Sequence, residues 1–381
     1  MTVGVLGGGP AGAFAAERLA SAGVKTLLID EKLAWEKPCG GGLTWKAYTQ
    51  YPFLAESSTP RKTISSTVLA APGLKPAEFR LDRPILIYSR RELNGMLLDR
   101  ASDSGAQIQQ TRVLGMDRDG TGWRIRTKSG EIAVDYCVVA TGARNPLRDY
   151  GTSLTPSDTM SALGYHVPGE RDRIDLAFLE GLEGYIWVFP RCGHMSVGIC
   201  GKGESAGSLR DRLHNYMETQ GLSREGAAFY SHVLPSLDLA SWKSNRFSGD
   251  GWLAVGDAAG LVDPITGEGL YYAVRSADLA VQAILGGTGS AGHQYSGSLA
   301  REIVPEMEFA SRIARRVFRG AFLGRSVPQW MILATRRSPT FRVILGDLFA
   351  GTQPYLELKR RLTDNGFRML LELVLQFASQ S

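Results

Sequence analysis

The sequence predicts an α/β fold organised around its first thirty residues, and three observations lead to this prediction. A buried strand, a helix of small residues and a second strand follow one another between Val3 and Asp30. Strand-like segments, including a hairpin, lie between about Gly151 and Arg246 and predict an inserted antiparallel sheet. The last ninety or so residues carry apolar side chains at helical spacing. We therefore expect a βαβ-based domain, an inserted sheet domain and a helical C-terminal region.

The turn between the first strand and the first helix carries three spaced glycines. Gly7 allows a tight turn, Gly9 lets the backbone approach a pyrophosphate at the helix N-terminus, and Gly12 lets helix and strand pack closely. Asp30 ends the second strand, where a ribose hydroxyl needs an acceptor. Strand, glycines, helix and acid in this order predict a dinucleotide site rather than a plain glycine-rich turn. The motif alone fits either FAD or NAD.

Composition narrows the class of protein. With 381 residues, 44% hydrophobic and 21% charged, the chain is long enough for two connected domains with a large core. The four cysteines form no CxxC pair, and neither they nor the five histidines have metal-ligand spacing, so no metal site is predicted. No secretory segment precedes Val3, which predicts a cytoplasmic location. No apolar run is long enough for a membrane span, so we expect any membrane contact to be peripheral, at the inner membrane surface.

Positive charge is concentrated near the C-terminus. The chain carries a formal net charge of +5, and the segment from Arg312 to Arg368 holds twelve basic and three acidic residues. An amphipathic segment follows, with its apolar stripe at Phe367, Leu370, Leu371, Val374, Leu375 and Ala378. This basic block is interpreted either as solvated helices or as a surface for anionic lipid. Aromatic and basic residues do not interleave there in any recognisable nucleic-acid-binding module, so no nucleic-acid partner is predicted.

The order of predicted elements sets the domain boundaries. Residues 1–150 and 247–290 are expected to form the nucleotide domain, residues 151–246 the inserted sheet domain, and residues 291–381 the helical region. The predicted strands after the βαβ unit include Ala106–Val113, Gly122–Thr127 and a continuous buried run, Glu131–Val139. Residues 51–87 are interpreted as an excursion from the nucleotide domain.

Two further stretches are candidates for chemistry. The loop from Lys37 to Leu43 contains Cys39 followed by three glycines, which suits backbone lying against a flat group or adopting positive φ; an ordinary flexible turn is the alternative. The first arm of the predicted hairpin places Tyr185, Trp187 and Phe189 on one face by strand alternation. These three aromatic side chains can form either a core face or the wall of a channel for an apolar chain.

Several motifs together resemble a known superfamily. The βαβ fingerprint, the segment Ala140-Thr141-Gly142 and the strand end Gly256-Asp257 occur in this order in FAD-dependent oxidoreductases with a p-hydroxybenzoate hydroxylase-like fold. The sequence resembles that superfamily from Val3 to about Leu285. The resemblance implies an FAD-binding Rossmann-like domain with an inserted antiparallel-sheet substrate domain.

Further motifs resemble the geranylgeranyl reductase family within that superfamily. They are the loop Lys37–Gly42, the aromatic arm Tyr185–Pro190, the turn Asp263–Gly269 and the tail Gly351–Leu362. The chain departs from the family in two places. Leu182 stands where a proline often precedes the arm, and Glu268 replaces a glycine found in part of the family.

The resemblance implies roles for individual residues. Asp30 would hold the adenosine ribose, Arg90 the pyrophosphate, and Val113 the adenine through its backbone. Asp257 would bind a ribityl hydroxyl, and the turn before Leu270 would face the flavin edge that becomes negative on reduction. The cofactor-binding residues implied are Gly7, Gly9, Gly12, Asp30, Cys39, Gly40, Gly42, Arg90, Val113, Asp257, Gly267, Gly269 and Leu270. Tyr185, Trp187 and Phe189 are the implied substrate contacts.

The activity implied is saturation of isolated C=C bonds in a prenyl diphosphate or a prenylated lipid. Cys39 is either a proton donor beside the reacting centre or a small side chain that lines the loop. The sequence holds no second dinucleotide fingerprint, so either NAD(P)H binds transiently or a ferredoxin-like protein reduces the flavin. A hydroxylase, a halogenase and a non-enzymatic flavin-bound lipid-binding protein are alternatives. A halogenase of this fold needs a lysine between flavin and substrate, and the only nearby candidate, Lys46, stands in the wrong sequence context.

Overall fold

The computed structural model of the protein describes residues 1–147 and 149–378. Its strands are β1 (Thr2–Leu6), β2 (Lys25–Asp30), β3 (Gly42–Leu43), β4 (Arg61–Ala70), β5 (Ala77–Tyr88), β6 (Gln107–Gln110), β7 (Val113–Asp119), β8 (Gly122–Thr127), β9 (Gly130–Val134), β10 (Tyr136–Val139), β11 (Thr159–Pro168), β12 (Arg173–Ala177), β13 (Gly184–Pro190), β14 (His194–Lys202), β15 (Ala228–Pro235), β16 (Ser248–Gly249), β17 (Trp252–Ala254), β18 (Ala321–Phe322) and β19 (Arg325–Ser326).

Its α-helices are α1 (Pro10–Ser21), α2 (Trp45–Gln50), α3 (Phe53–Glu56), α4 (Arg90–Asp103), α5 (Ala206–Thr219), α6 (Leu239–Ser244), α7 (Leu270–Leu285), α8 (Thr288–Glu302), α9 (Val304–Arg319), α10 (Val327–Arg337), α11 (Pro339–Phe349), α12 (Tyr355–Asp364) and α13 (Gly366–Ala378). Short 3₁₀ turns cover Pro156–Asp158 and Gly256–Ala259. The mixture of helices and strands confirms the predicted α/β class.

The chain divides into two compact units. The first comprises Met1–Lys37, Arg90–Thr159 and Val233–Glu308. It contains a six-stranded sheet in the order β16-β17-β10-β1-β2-β6, in which every pair is parallel except β16 with β17. Parallel strands flanked by helices are the expected product of a βαβ unit, so the predicted strand–helix–strand start of the chain is confirmed.

The predicted continuous strand from Glu131 to Val139 is instead two strands that belong to two sheets. β9 pairs with β8 in a three-stranded antiparallel sheet, and β10 pairs with β1 in the six-stranded sheet. Asp135 lies between them, and its backbone N–H donates to the carbonyl of Thr2 at 2.9 Å. The predicted strand Ala106–Val113 is also divided in the structure, because β6 ends at Gln110 and β7 begins at Val113.

The second unit comprises Pro38–Ser89, Met160–His232 and the chain from Phe309 onward. Its eight-stranded sheet has the order β15-β11-β14-β13-β12-β4-β5-β3. The predicted hairpin is confirmed as β13 and β14, which pair from Gly184–Gly201 to Pro190–Met195. The sheet is not wholly antiparallel, because β4 and β12 pair in parallel.

The predicted domain boundaries differ from this division in several segments, two of which change how the second unit is built. Residues 51–87 are interpreted from the sequence as an excursion, but this part of the chain supplies β4 and β5 to the eight-stranded sheet of the second unit. The C-terminal helices belong to the same unit, since Ile332 of α10 and Leu345 of α11 are buried with Ile64 and Ile87 of these strands. An apolar sheet face needs a covering layer, and the helices after Phe309 provide it.

In the part of the chain that the structure describes, none of the helices combines the length and the apolar character needed to cross a bilayer.

Candidate functional site

The glycines of the first turn have three different surroundings. Gly7 has φ of +115°, and a Cβ there would lie 2.3 Å from the carbonyl oxygen of Ala140. A Cβ on Gly12 would lie 1.8 Å from the carbonyl oxygen of Gly7, so side-chain-free packing of α1 on this turn is essential. At Gly9 a Cβ would meet no atom within 4 Å. Open space beside the N-terminus of a twelve-residue helix is what an anionic group of a cofactor requires.

Asp30 organises the turn from the other side. Its Oδ2 accepts a hydrogen bond from the Gly8 N–H at 2.8 Å, and its Oδ1 accepts from the N–H groups of Lys32 and Leu33 at 2.7 Å each. A carboxylate oxygen can accept two hydrogen bonds, so Oδ2 keeps capacity for a ribose hydroxyl. The predicted ribose contact stays a prediction.

Arg90 and Asp257 are far apart in sequence but meet at one dipeptide. Glu36 accepts from the backbone N–H groups of Arg90 at 2.9 Å and Arg91 at 3.4 Å, where α4 begins. The neighbouring Lys37 makes an ion pair with Asp257, with 3.3 Å between Nζ and Oδ2. The two residues implied for the pyrophosphate and the ribityl chain are therefore both tied to the dipeptide Glu36-Lys37.

The burial and the hydrogen bonding of the Arg90 side chain suit a site for a bound anion. Arg90 is only 3% exposed. Its Nη2 donates to Asn94 Oδ1 at 3.3 Å, but its Nε has no hydrogen-bond partner among the described residues. A buried cationic donor without a partner is costly unless a ligand satisfies it. Together with the open space at Gly9, this supports a pyrophosphate-type ligand in the first unit.

The turn before α7 is held by two carboxylates, Asp263 and Glu268, to which the sequence reasoning assigned no structural role. Buried Asp263 accepts from the N–H groups of Ile265 at 2.8 Å and Thr266 at 3.2 Å, and its carbonyl accepts from Gly267 at 2.9 Å. Glu268, the residue that departs from the family, accepts from the Tyr271 N–H at 2.9 Å and so caps the helix. The sequence did contain a signal for this role, because an acidic residue just before a helix stabilises the positive end of the helix dipole.

The remaining residues implied for the cofactor in the first unit lie at the starts of a helix and a strand. Gly269 is the N-cap of α7, and Leu270 begins the helix. Val113 begins β7 and is buried opposite Thr127 of β8. Their contacts to a cofactor stay predictions.

In the second unit, the loop that contains Cys39 and the three glycines after it (the cysteine loop) packs directly on β13 (the aromatic strand). A Cβ on Gly40 would lie 3.3 Å from the ring of Phe189, and one on Gly42 would lie 3.1 Å from it. Gly41 has φ of +85°, and a Cβ there would lie 2.1 Å from the Tyr88 carbonyl oxygen. Glycine is therefore favoured at all three positions, because Phe189 packs closely on Gly40 and Gly42 and because Gly41 has a positive φ. These constraints disfavour the flexible-turn alternative.

Strand alternation in β13 is confirmed. Ile186 and Val188 point into the apolar core beneath α5, with Leu209 and Leu213. On the opposite face, Tyr185 stacks on Phe318 of α9 with 6.4 Å between ring centroids. Leu182, which replaces the family proline, is also buried in this core.

Trp187 differs from its two aromatic neighbours because it is only 6% exposed. Its ring covers Gly198, where a Cβ would lie 2.3 Å from the indole, and its Nε1 donates to Ser196 at 3.2 Å. Tyr185 and Phe189 keep partial exposure. These two are the better placed of the three predicted substrate contacts.

Three buried polar residues near Cys39 were missed from the sequence. Arg191 follows the aromatic arm, Ser196 lies on β14, and Tyr230 lies on β15. All three are buried, and Arg191 and Ser196 both bond to the carbonyl of Cys39. Nothing in the sequence marks Ser196 or Tyr230, because only the pairing of distant strands brings them to the loop.

Comparison with known proteins decides the class. Residues 1–153 match the family model for pyridine nucleotide-disulphide oxidoreductases. The chain is 28% identical over 325 residues to the chloroplastic geranylgeranyl diphosphate reductase of Nicotiana tabacum, which covers 76% of this chain and 67% of that protein. It is 26% identical over 287 residues to the digeranylgeranylglycerophospholipid reductase of Methanocaldococcus jannaschii, covering 71% and 73%. The chain is an FAD-dependent oxidoreductase related to the geranylgeranyl reductases.

Solved structures agree on the fold of this oxidoreductase. A geranylgeranyl bacteriochlorophyll reductase-like protein from Thermoplasma acidophilum matches with a TM-score of 0.79 and 22% identity, over 95% of this chain and 99% of that one. A flavin-dependent brominase matches with a TM-score of 0.68 at 16% identity. At such identities the likeness shows the fold alone. The predicted FAD-binding fold is therefore confirmed, and the FAD cofactor follows from the oxidoreductase family match of residues 1–153 together with this fold.

Proposed function

We propose that this oxidoreductase saturates isolated C=C bonds of a prenyl chain carried by a diphosphate or a lipid. Its relatives named geranylgeranyl diphosphate reductase and digeranylgeranylglycerophospholipid reductase support this substrate class. The observation that carries the proposal is the packing of Phe189 at van der Waals distance against Gly40 and Gly42. It places an aromatic, apolar strand face beside the only loop in which a glycine run follows a cysteine.

The residues of the first unit would hold the cofactor. The N-terminus of α1 and the Arg90 guanidinium would bind the pyrophosphate, while Asp30 and Asp257 would accept hydrogen bonds from sugar and ribityl hydroxyls. Reduced FAD, when bound, supplies a hydride to one alkene carbon. A transient NAD(P)H or a ferredoxin-like protein would return the two electrons.

The residues of the second unit would position the alkene and complete the reduction. The Cys39 thiol is a donor for the proton that the second alkene carbon needs, so the product gains two hydrogens per bond. An isolated alkene has no polar group to hold, so its position depends on close apolar contact and on exclusion of water. Tyr185 and Phe189 offer that surface.

An anaerobic experiment tests this proposal against oxygen-dependent reactions. We expect that enzyme reduced with dithionite, and then given geranylgeranyl diphosphate or a prenylated lipid without oxygen, will reoxidise its flavin. Mass analysis should show that the substrate gains two hydrogens for each flavin reoxidised. If reoxidation needs oxygen and the product gains an oxygen or a halogen, the protein is a hydroxylase or a halogenase. Prenyl binding without turnover would instead indicate a lipid-binding flavoprotein.

We also propose that the enzyme reaches its lipid substrate through peripheral contact at the inner membrane surface. Phe367 is 81% exposed, and Leu370 beside it on α13 is also exposed. Arg360 of α12 and Arg368 lie in the same segment, with side chains 74% and 72% exposed. Apolar side chains flanked by cations suit the interface of an anionic bilayer. The predicted stripe residues Val374, Leu375 and Ala378 lie outside the side chains that the structure describes.

Flotation with vesicles measures this contact. The protein should float with phosphatidylglycerol-containing vesicles at low salt, and binding should fall as salt rises, because each basic residue near the surface contributes about 1 kcal/mol. The double variant Phe367→Asp, Leu370→Asp should lose binding. Leu285→Asp, an exposed leucine at the end of α7, is the matched control and should bind normally. Equal flotation with neutral vesicles would indicate that the basic block is an ordinary solvated surface.

A further inference from the structure

A fully buried arginine lies behind the cysteine loop. Arg191 has no exposed surface, and its backbone N–H donates to the His194 carbonyl at 2.8 Å in the turn of the β13–β14 hairpin. Its Nη2 donates to the carbonyl oxygen of Cys39, and its Nε reaches the carbonyl oxygen of Gly40 at 3.4 Å. Burying a guanidinium is costly, and charge-assisted bonds to carbonyl groups offset that cost.

Ser196 supplies a second donor to the same carbonyl. Its hydroxyl, also fully buried, donates to the Cys39 oxygen at 2.9 Å. Because the hydroxyl has one proton, its other two neighbours must donate to it. They are Tyr230 Oη at 2.8 Å and Trp187 Nε1 at 3.2 Å. Burial raises the pKa of Tyr230 to about 12, so this phenol stays protonated and remains a donor at neutral pH.

The consequence is a fixed backbone on both sides of the thiol. The Cys39 carbonyl accepts from Arg191 and Ser196, which uses both of its lone pairs. On the other side of the loop, the Gly41 N–H lies 3.3 Å from Cys39 Sγ. Rotation of the peptide between Cys39 and Gly40 would break these bonds, and the direction of the Cys39 side chain depends on that rotation.

We infer that Arg191 and Ser196 are positioning residues that orient the Cys39 thiol through its backbone carbonyl, with Tyr230 and Trp187 holding Ser196. The inference rests on the proposed function for its role in catalysis. We call these hydrogen bonds to the Cys39 carbonyl and to Ser196 the clamp. The effect of the clamp on the thiol can be tested without turnover. The clamp also couples Trp187 of the aromatic strand to the cysteine loop through a single hydroxyl.

The test measures the alkylation rate of Cys39 by iodoacetamide in the FAD-loaded protein, resolved by peptide mass analysis across pH. Ser196→Ala removes the donor to the Cys39 carbonyl, and we expect the rate to change by about fivefold to tenfold, with a shifted pH profile. Tyr230→Phe leaves the Ser196 donor in place and should have a smaller effect. Arg191→Lys keeps the positive charge but cannot bond to the carbonyl groups of both Cys39 and Gly40. Its effect on the alkylation rate should resemble that of Ser196→Ala.

Thr67→Val is the matched control. Thr67 is fully buried on β4 of the same sheet, and its hydroxyl has no hydrogen-bond partner among the described residues, so its removal should not alter Cys39. Ser196→Ala and Tyr230→Phe each remove few hydrogen bonds. These two variants therefore test whether the hydrogen bonds orient the Cys39 thiol, even if Arg191→Lys does not fold. The inference is overturned if both leave the Cys39 rate and its pH profile within twofold of wild type.

A kinetic measurement separates this inference from the proposed function. In the prenyl reduction assay, Ser196→Ala should lower kcat about fivefold to tenfold, with KM and FAD affinity unchanged. If wild-type protein shows no prenyl reduction but the alkylation rates change as expected, the clamp is supported and the proposed reaction is wrong. If reduction occurs and the alkylation rates do not change, the reaction is supported and the clamp is rejected.

Discussion

Gly9→Ala should leave the apoprotein folded and remove most of its FAD. Gly9 has φ of −70°, an ordinary value for alanine, and a Cβ there meets no protein atom within 4 Å. Alanine is a poorer N-cap than glycine, but it also reduces the entropy of the unfolded chain, and the two effects are of similar size, each below about 1 kcal/mol. The methyl group would instead occupy the space through which a pyrophosphate reaches the N-terminus of α1.

The expected loss of affinity is large. If the methyl group prevents two charge-assisted hydrogen bonds, FAD binding weakens by about 3 kcal/mol, or roughly 100-fold. Flavin fluorescence titration of the apoprotein measures the affinity, and thermal denaturation without FAD measures the stability. FAD affinity equal to wild type would mean that this turn does not face the cofactor.

Gly12→Ala is the contrasting variant. Its Cβ would lie 1.8 Å from the Gly7 carbonyl oxygen and 3.0 Å from the Ala140 Cβ, so α1 cannot keep its place. We expect the apoprotein itself to be destabilised by a few kcal/mol, because neither contact involves a flexible side chain. The pair of variants separates a glycine needed by the cofactor from one needed by the fold.

Local patterns predicted much of the first unit. The order of strand, glycines, helix and acid falls within the first thirty residues, and Asp30 hydrogen-bonds within this unit to Gly8 and just beyond it to Leu33. That Arg90 and Asp257 bond to adjacent residues could not be predicted from spacing, because Glu36 bonds to Arg90 while its neighbour Lys37 pairs with Asp257. Only the resemblance to a family proposed that these residues share one ligand.

The second unit was predicted less completely for a topological reason. Alternation along β13 correctly assigned its two faces, since that property is local. The pairing of β4 with β12, and of β11 with β14, joins segments far apart in the chain. Burial of Arg191 and Ser196 follows from that pairing, and a charged residue beside a hairpin turn ordinarily predicts an exposed position.

Cys39→Ala should lower the rate of prenyl reduction by about 100-fold, within the usual range for loss of a general acid. The variant isolates the thiol, because Arg191 and Ser196 bond to the main-chain oxygen of Cys39, which alanine retains. FAD affinity and KM should therefore stay near wild type, and single-turnover reduction monitored by flavin reoxidation should report the lost step. Cys192→Ala is the control, since Cys192 is an exposed cysteine in the nearby hairpin turn. Wild-type turnover by Cys39→Ala would mean that the thiol only lines the loop, and that the proton reaches the alkene from another donor.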